Sequence, residues 1–187
     1  MDYEKIYKTA FQNKNYNSDH SLSYGKAIEF LSKLQQEHPI DSISDIGSGN
    51  GNLIRKLPKE KNIFSYDLDC FYEASAFGNV VFEKIDLSSP TSLHNIKKVD
   101  LLYCLDVLEH IEEKHIDLIL HNFSKKCNFC FLTIANHSDV INGVELHLIQ
   151  KNETFWNEKV GQFFKINHFE KAYGNRLYLY QLSTKNL

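Results

Sequence analysis

Ser44-Asp45-Ile46-Gly47-Ser48-Gly49-Asn50-Gly51 places an acid and three alternating glycines where an apolar strand is expected to turn into a helix. Glycine has no Cβ, so such a loop can take positive φ and let a ligand approach the main chain itself, facing the amides of the helix that follows. Two kinds of cofactor loop compete for this stretch. The dinucleotide pattern G-x-G-x-x-G/A needs Gly or Ala at position 52 for close helix–strand packing, and the chain has Asn52 there, which disfavours NAD. A plain tight turn is the third option, and the neighbouring segments decide among them.

The chain has 187 residues, enough for one domain to bury a core without disulfide or metal staples, and is read as a single domain over 1–187. A net charge of −3 and a pI near 6.3 supply no global basic field, so a small-molecule substrate is favoured over nucleic acid. Met1-Asp2-Tyr3-Glu4-Lys5 carries no basic start followed by an apolar stretch, and no run approaches a membrane span. A cytoplasmic location with no membrane partner is therefore expected. Cys127-x-x-Cys130 has half of a zinc-ribbon spacing without the other half. It lies in the apolar run 127–134, which reads as a buried strand where cysteine acts as a small hydrophobe.

Tyr3, Ile6, Tyr7, Ala10 and Phe11 fall on one helix face, and Tyr24, Ala27, Ile28, Leu31 and Leu34 mark a second helix ending before His38-Pro39. Leu53, Ile54 and Leu57 predict a helix after the glycine loop, stopped by Pro58. Strands are predicted at 62–69, 80–86, 99–105 and 127–134, with Ile116, Ile119, Leu120 and Phe123 on one face of a helix between the last two. A short helical pattern holds Phe155, Trp156 and Val160. The stretches 163–169 and 176–182 then read as a hairpin turning at Gly174-Asn175. Strands alternating with helices imply an α/β fold: a doubly wound, mostly parallel seven-stranded sheet with helices on both faces and a C-terminal antiparallel hairpin. A carboxylate roughly 20 residues beyond the glycine loop, at the tip of the adjacent strand, is placed to accept hydrogen bonds from ribose hydroxyls. Asp67 holds that place, with Asp69 in reserve.

Asp45-x-Gly47-x-Gly49-x-Gly51, together with Asp106-Val107-Leu108-Glu109-His110-Ile111 after the fourth strand, resembles the class I S-adenosylmethionine (SAM) methyltransferases over residues 40–182. Within them it is similar to the small-molecule group with Val-Leu-Glu-His, which includes the O-methyltransferases of ubiquinone biosynthesis. The resemblance implies a Rossmann-like methyltransferase fold, SAM as cofactor, and residues 1–38 as an N-terminal helical lid over an α/β core at 39–187. Tyr16, His20 and Tyr24 would be lid or substrate residues. Asp86 would face the adenine amino group, and the full cofactor set would be Asp45, Gly47, Ser48, Gly49, Gly51, Asp67, Leu68, Asp86, Leu87 and Leu105.

If segment 106–110 is helical, Asp106, Glu109 and His110 share a face, and two carboxylates with an imidazole suit Mg²⁺, Mn²⁺ or Zn²⁺. Relatives in the ubiquinone pathway, and the methyltransferases of terminal 2′ hydroxyls on small RNAs, use a similar metal set with a later histidine; His147 would be that ligand. Without metal, His110 or His147 would serve as general base. The bland alternative is that Glu109 and His110 only cap and orient the helix. His38, His94, His115, His121 and His168 read as solvated, and Trp156 as core. The expected function is a SAM-dependent methyltransferase, a transferase acting on a hydroxyl oxygen of a small molecule such as a saccharide or biosynthetic intermediate. The alternatives are an RNA terminal-ribose 2′-O-methyltransferase, a non-catalytic SAM-binding subunit and a NAD oxidoreductase.

Overall fold

The computed structural model describes Ile6, Thr9 and residues 22–69, 78–141 and 143–187. Apart from Ile6, the residues of the first predicted helix face lie outside the described residues, as do Tyr16, His20 and Cys70. The described chain runs α1 (Leu22–Glu37), β1 (Ser42–Ile46), β2 (Asn62–Asp67), β3 (Val80–Lys84), α2 (Pro90–Leu93), β4 (Val99–Leu105), α3 (Glu113–Lys126) and β5 (Cys127–Ala135). It continues through β6 (Val140–Ile141), β7 (Val144–Glu145), α4 (Glu153–Phe163), β8 (Phe164–Ala172) and β9 (Leu177–Thr184).

Seven strands form one sheet in the order β3-β2-β1-β4-β5-β9-β8, and β6 pairs with β7 in a separate two-stranded ribbon. Neighbours from β3 to β5 are parallel, while β9 is antiparallel to both β5 and β8. The closing hairpin thus puts one reversed strand, β9, into an otherwise parallel sheet, as the alternating pattern implied. Chain order reverses between β1 and β4, and open α/β sheets bind ligands at the carboxyl ends of the strands beside such a reversal.

The central strands read as nearly continuous apolar runs because both of their faces are covered. Side chains alternate between the two faces with period two. On β4, Leu102 and Cys104 join one buried cluster with Ile116 and Phe123 of α3 and Trp156 and Val160 of α4. Leu101, Tyr103 and Leu105 join the other cluster, with Ala27, Phe30, Leu31 and Leu34 of α1. The Tyr103 hydroxyl crosses to the Ala27 carbonyl at 2.8 Å, tying α1 to the sheet. No described helix is long and apolar enough to cross a membrane.

Two predicted helices come out shorter. After the glycine loop only a single 3₁₀ turn forms, Ile54–Lys56. Pro58 bars its own predecessor from helical geometry, so the stretch between Gly51 and Pro58 has no room for a longer helix. Segment 106–110 is a 3₁₀ turn at Leu108–His110, and Asp106 stands outside it with φ of 55°.

Trp156, the single tryptophan, is fully buried and its indole Nε1 has no hydrogen-bond partner among the described residues. Trp156→Ala should cost about 3–5 kcal/mol in denaturant unfolding, whereas Trp156→Phe, which removes the orphaned donor along with some volume, should cost far less. Equal losses in the two variants would contradict this account of the core.

Candidate functional site

The glycine loop is shaped by sterics. Gly47, Gly49 and Gly51 all have positive φ, at 71°, 52° and 76°. At Gly47 a Cβ would also collide with Cγ2 of Val107, so the loop after β1 and the loop after β4 touch only because this residue is glycine. The amides of Gly47 and Ser48 both donate to the Tyr66 carbonyl, at 2.8 and 3.1 Å, holding the loop against the end of β2. The Ser48 hydroxyl meets Ser65 Oγ at 2.8 Å.

Asp67 lies where the strand-tip argument put it, and both of its oxygens are engaged. Oδ2 accepts from the Gly49 amide at 2.7 Å, and Oδ1 from the Leu68 amide at 2.7 Å. Burial is the main cause that pushes its carboxyl up to about 6, against those two amide bonds. Asp45 is buried inside β1, and its Oδ2 has no hydrogen-bond partner among the described residues. Burial first, and then the charge of Asp67, push the Asp45 carboxyl up to about 7. Asp86 is exposed and turns back on its own loop, accepting from the Ser88 amide and hydroxyl at 2.9 and 2.6 Å. Leu87 and Leu105 are buried, and Leu68 is half-buried.

After β4 the predicted four-residue metal set divides. Glu109, His110 and His147 each present a ligand atom, all within 4.8 Å of one another. Asp106 does not join them. Because it precedes the 3₁₀ turn, its carboxylate points elsewhere, accepting from Thr133 Oγ1 at 2.7 Å and from Ser23 Oγ at 3.2 Å. Burial raises its pKa.

The three-residue group is anchored by backbone. Glu109 is fully buried; Oε1 accepts from the Ala135 amide at 2.8 Å, while Oε2 has no partner among the described residues. Burial, followed by the charge of Asp106, pushes its carboxyl well up. His110 Nδ1 lies 3.1 Å from the Leu146 carbonyl, and His147 Nδ1 is bonded to the His137 carbonyl. A carbonyl can only accept, so both rings carry the proton on Nδ1 and present Nε2 as the lone-pair atom when neutral. Burial lowers His110 to about 3, which keeps it neutral.

Sequence reasoning passed over four residues here. His137 packs its ring 4.9 Å from that of His147, which in turn lies 4.6 Å from His110. Glu145 organises the loop that carries these rings. It accepts from the Ser138 hydroxyl and from the amides of Asp139 and His147, at 2.8 and 2.9 Å, and these bonds, the Ser138 one foremost, lower its carboxyl to about 2. Ser23 and Arg176, from opposite ends of the chain, line with Asp106 and His137 a cavity of about 340 Å³. Glu145 alone had a usable signal, an acid two residues before a candidate ligand in a turn-rich loop.

The buried carboxyls set a pH dependence. A folded-state pKa raised above the ordinary carboxylate value means that the folded chain keeps protons the unfolded chain releases. Stability from Asp45 is then fully present below about pH 4 and is lost as pH rises toward 7. Asp45→Asn should therefore gain on wild type at pH 8 by ~2 kcal/mol, roughly 4–8 °C in Tm, with the gain shrinking toward pH 5. Thermal melts at the two pH values check this, and an equal gain at both would refute it.

No protein-family profile matches the chain, and no curated protein matches it in sequence. Solved structures match it along nearly its whole length. The N-methyltransferase NodS from Bradyrhizobium japonicum, in complex with S-adenosyl-L-homocysteine (SAH), superposes with a TM-score of 0.70 at 11% identity, covering 98% of each chain. A SAM-dependent methyltransferase from Clostridium acetobutylicum gives 0.70 at 16%, covering 97% of this chain and 98% of that one. Magnesium protoporphyrin IX methyltransferase from Synechocystis, with bound SAH, gives 0.65 at 15%, covering 98% and 94%. With its strand order and reversed β9, the chain has the Rossmann-like fold of these methyltransferases.

Proposed function

We propose that the chain is a SAM-dependent methyltransferase acting on a hydroxyl oxygen of a small molecule. The loop after β1 is the observation that carries this reading. Three left-handed glycines bring a bare backbone to the strand reversal, beside the buried Asp45 Oδ2 that has no partner among the described residues. A cationic donor such as the amino group of a methionine moiety fits that orphaned oxygen. Asp67 and Leu68 would hold the ribose, Asp86 and Leu87 the adenine, and Gly47, Ser48, Gly49, Gly51 and Leu105 the walls between.

SAM supplies a methyl group already activated on a sulfonium sulfur, so the chain's share of the chemistry is alignment, exclusion of water and proton removal. Asp106 borders the cavity with its carboxylate held by Thr133 and Ser23. We assign it the proton that leaves the acceptor hydroxyl. Neither His110 nor His147 borders the described cavity.

Glu109, His110 and His147 are assigned instead to a divalent cation. One oxygen and two nitrogens suit Mn²⁺ or Zn²⁺ better than Mg²⁺, and the unpartnered Glu109 Oε2 fits a ligand role. Such an ion would lower the pKa of a hydroxyl bound to it. The same group supports a second reading, in which the acceptor is the terminal ribose of an RNA. The acidic net charge favours the small molecule.

Calorimetric titration with SAH tests the central reading. Micromolar binding is expected, at least ~10-fold weaker in Asp67→Ala, since a ribose-binding carboxylate contributes hydrogen bonds of about 1.5–3 kcal/mol. Absence of binding by folded protein would overturn the reading, and NAD binding in its place would turn it to an oxidoreductase. Addition of Mn²⁺ or Zn²⁺ after EDTA treatment should raise Tm in wild type and leave His147→Ala unmoved. Once an acceptor is found, Asp106→Asn should lower kcat by ~100-fold or more with SAH affinity retained; the non-catalytic alternative predicts no turnover for either form.

A further inference from the structure

The cavity beside Asp106 has that half-buried carboxylate on its inner side and one exposed arginine, Arg176, at its rim. The carboxylate is already bonded to Thr133 and Ser23, as described above. At the mouth stand His137, Tyr173 and Arg176, the last two from the turn between β8 and β9. The chain has only two arginines. Arg55 spends its guanidinium on the Asn50 carbonyl and Asn52 Oδ1, both at 2.8 Å. Arg176 has no side-chain hydrogen bond or ion pair among the described residues.

The turn that carries Arg176 runs through left-handed backbone, unfavourable chiefly at Tyr173. Tyr173, Gly174 and Asn175 all have positive φ, at 50°, 65° and 71°, and two of the three are not glycine. Such backbone persists only where surrounding contacts impose it. Here the Arg176 carbonyl accepts from the Asn136 amide at 2.7 Å, and Asn136 Nδ2 donates to the Tyr178 hydroxyl at 2.9 Å. The turn is therefore pinned to the end of β5, and the Arg176 main chain sits next to the residue that leads into His137. Tyr173, 66% exposed, adds an aromatic surface at the same mouth.

A planar guanidinium with no partner among the described residues, carried at the mouth of a cavity by a pinned main chain, matches a carboxylate or a phosphate by two parallel N–H···O bonds. We propose that the acceptor carries an oxyanion beside its hydroxyl, and that Arg176 binds this oxyanion while the hydroxyl reaches inward toward Asp106. The acceptor is then a hydroxy acid or a phosphorylated alcohol rather than a neutral sugar. The term acceptor rests on the methyltransferase reading, whereas the oxyanion site stands on the cavity and the turn.

Amide NMR of the full chain, saturated with SAH and titrated with sodium phosphate and with sodium acetate at constant ionic strength, tests the proposal. Saturable shifts are expected at residues 173–177 and at His137, with binding roughly 10- to 100-fold weaker in R176Q. R176K should recover part of the phosphate binding and less of the acetate binding, because an ammonium keeps the charge without the fork. The SAH affinity of R176Q should stay within about twofold of wild type. Phosphate binding that is absent in wild type or unchanged in R176Q would overturn the proposal. So would a tenfold loss of SAH affinity in R176Q, which would put the guanidinium on the cofactor's own carboxylate. Failure of wild type to bind SAH would defeat the methyltransferase reading instead, and the anion titration without SAH would still decide whether Arg176 forms an oxyanion site.

Discussion

The Tyr66 carbonyl at the end of β2 accepts from two successive amides, Gly47 and Ser48, and the arrangement at the carboxyl ends of the central strands depends on it. That pair of bonds turns the chain out of β1 and lays the glycine loop across the tip of its neighbour. Asp67, the next residue after Tyr66, is thereby brought within 2.7 Å of the Gly49 amide. The loop can lie there only if Gly47 presents no Cβ to Val107. One backbone constraint thus couples the end of β2 to the ends of β1 and β4, the two strands that flank the reversal of chain order.

Burying acids at this place is electrostatically costly, and the molecule does it repeatedly. Asp45, Asp67 and Glu109 all lie in poorly solvated positions, and burial is the leading cause that raises each of their carboxyls. Only Asp67 has both oxygens satisfied within the described chain, while Asp45 and Glu109 each retain an orphaned oxygen. An unpartnered buried polar atom is rare in folded proteins, since it forfeits hydration without compensation. Under the proposed function these two oxygens would take the cofactor's amino group and a divalent cation.

Much of this was legible in the sequence because it rests on local chemistry. The glycine spacing, the acids closing successive strands and the apolar runs of β4 and β5 each carry their meaning in neighbouring residues. The turn at Gly174-Asn175 was legible for the same reason, since both residues tolerate the left-handed region that the hairpin requires. The helix expected at Leu53 to Leu57 failed because Pro58 left it too few residues. The shared face expected for Asp106, Glu109 and His110 failed because the chain there makes a 3₁₀ turn, whose side-chain angles differ from those of an α-helix.

By itself, the sequence determined the α/β alternation, the glycine loop and the acid at the tip of β2, for these follow from periodicity and from the steric freedom of particular residues. Only the tertiary structure decided which side chains meet after β4. Asp106 leaves Glu109 and His110 to meet Ser23 from α1. His147 reaches Glu109 and His110 from the loop after β7, and Arg176 comes to the cavity from the far end of the chain. These meetings join residues tens of positions apart. No local pattern encodes them, because it is the order and direction of the strands that carry each segment to the same edge of the sheet.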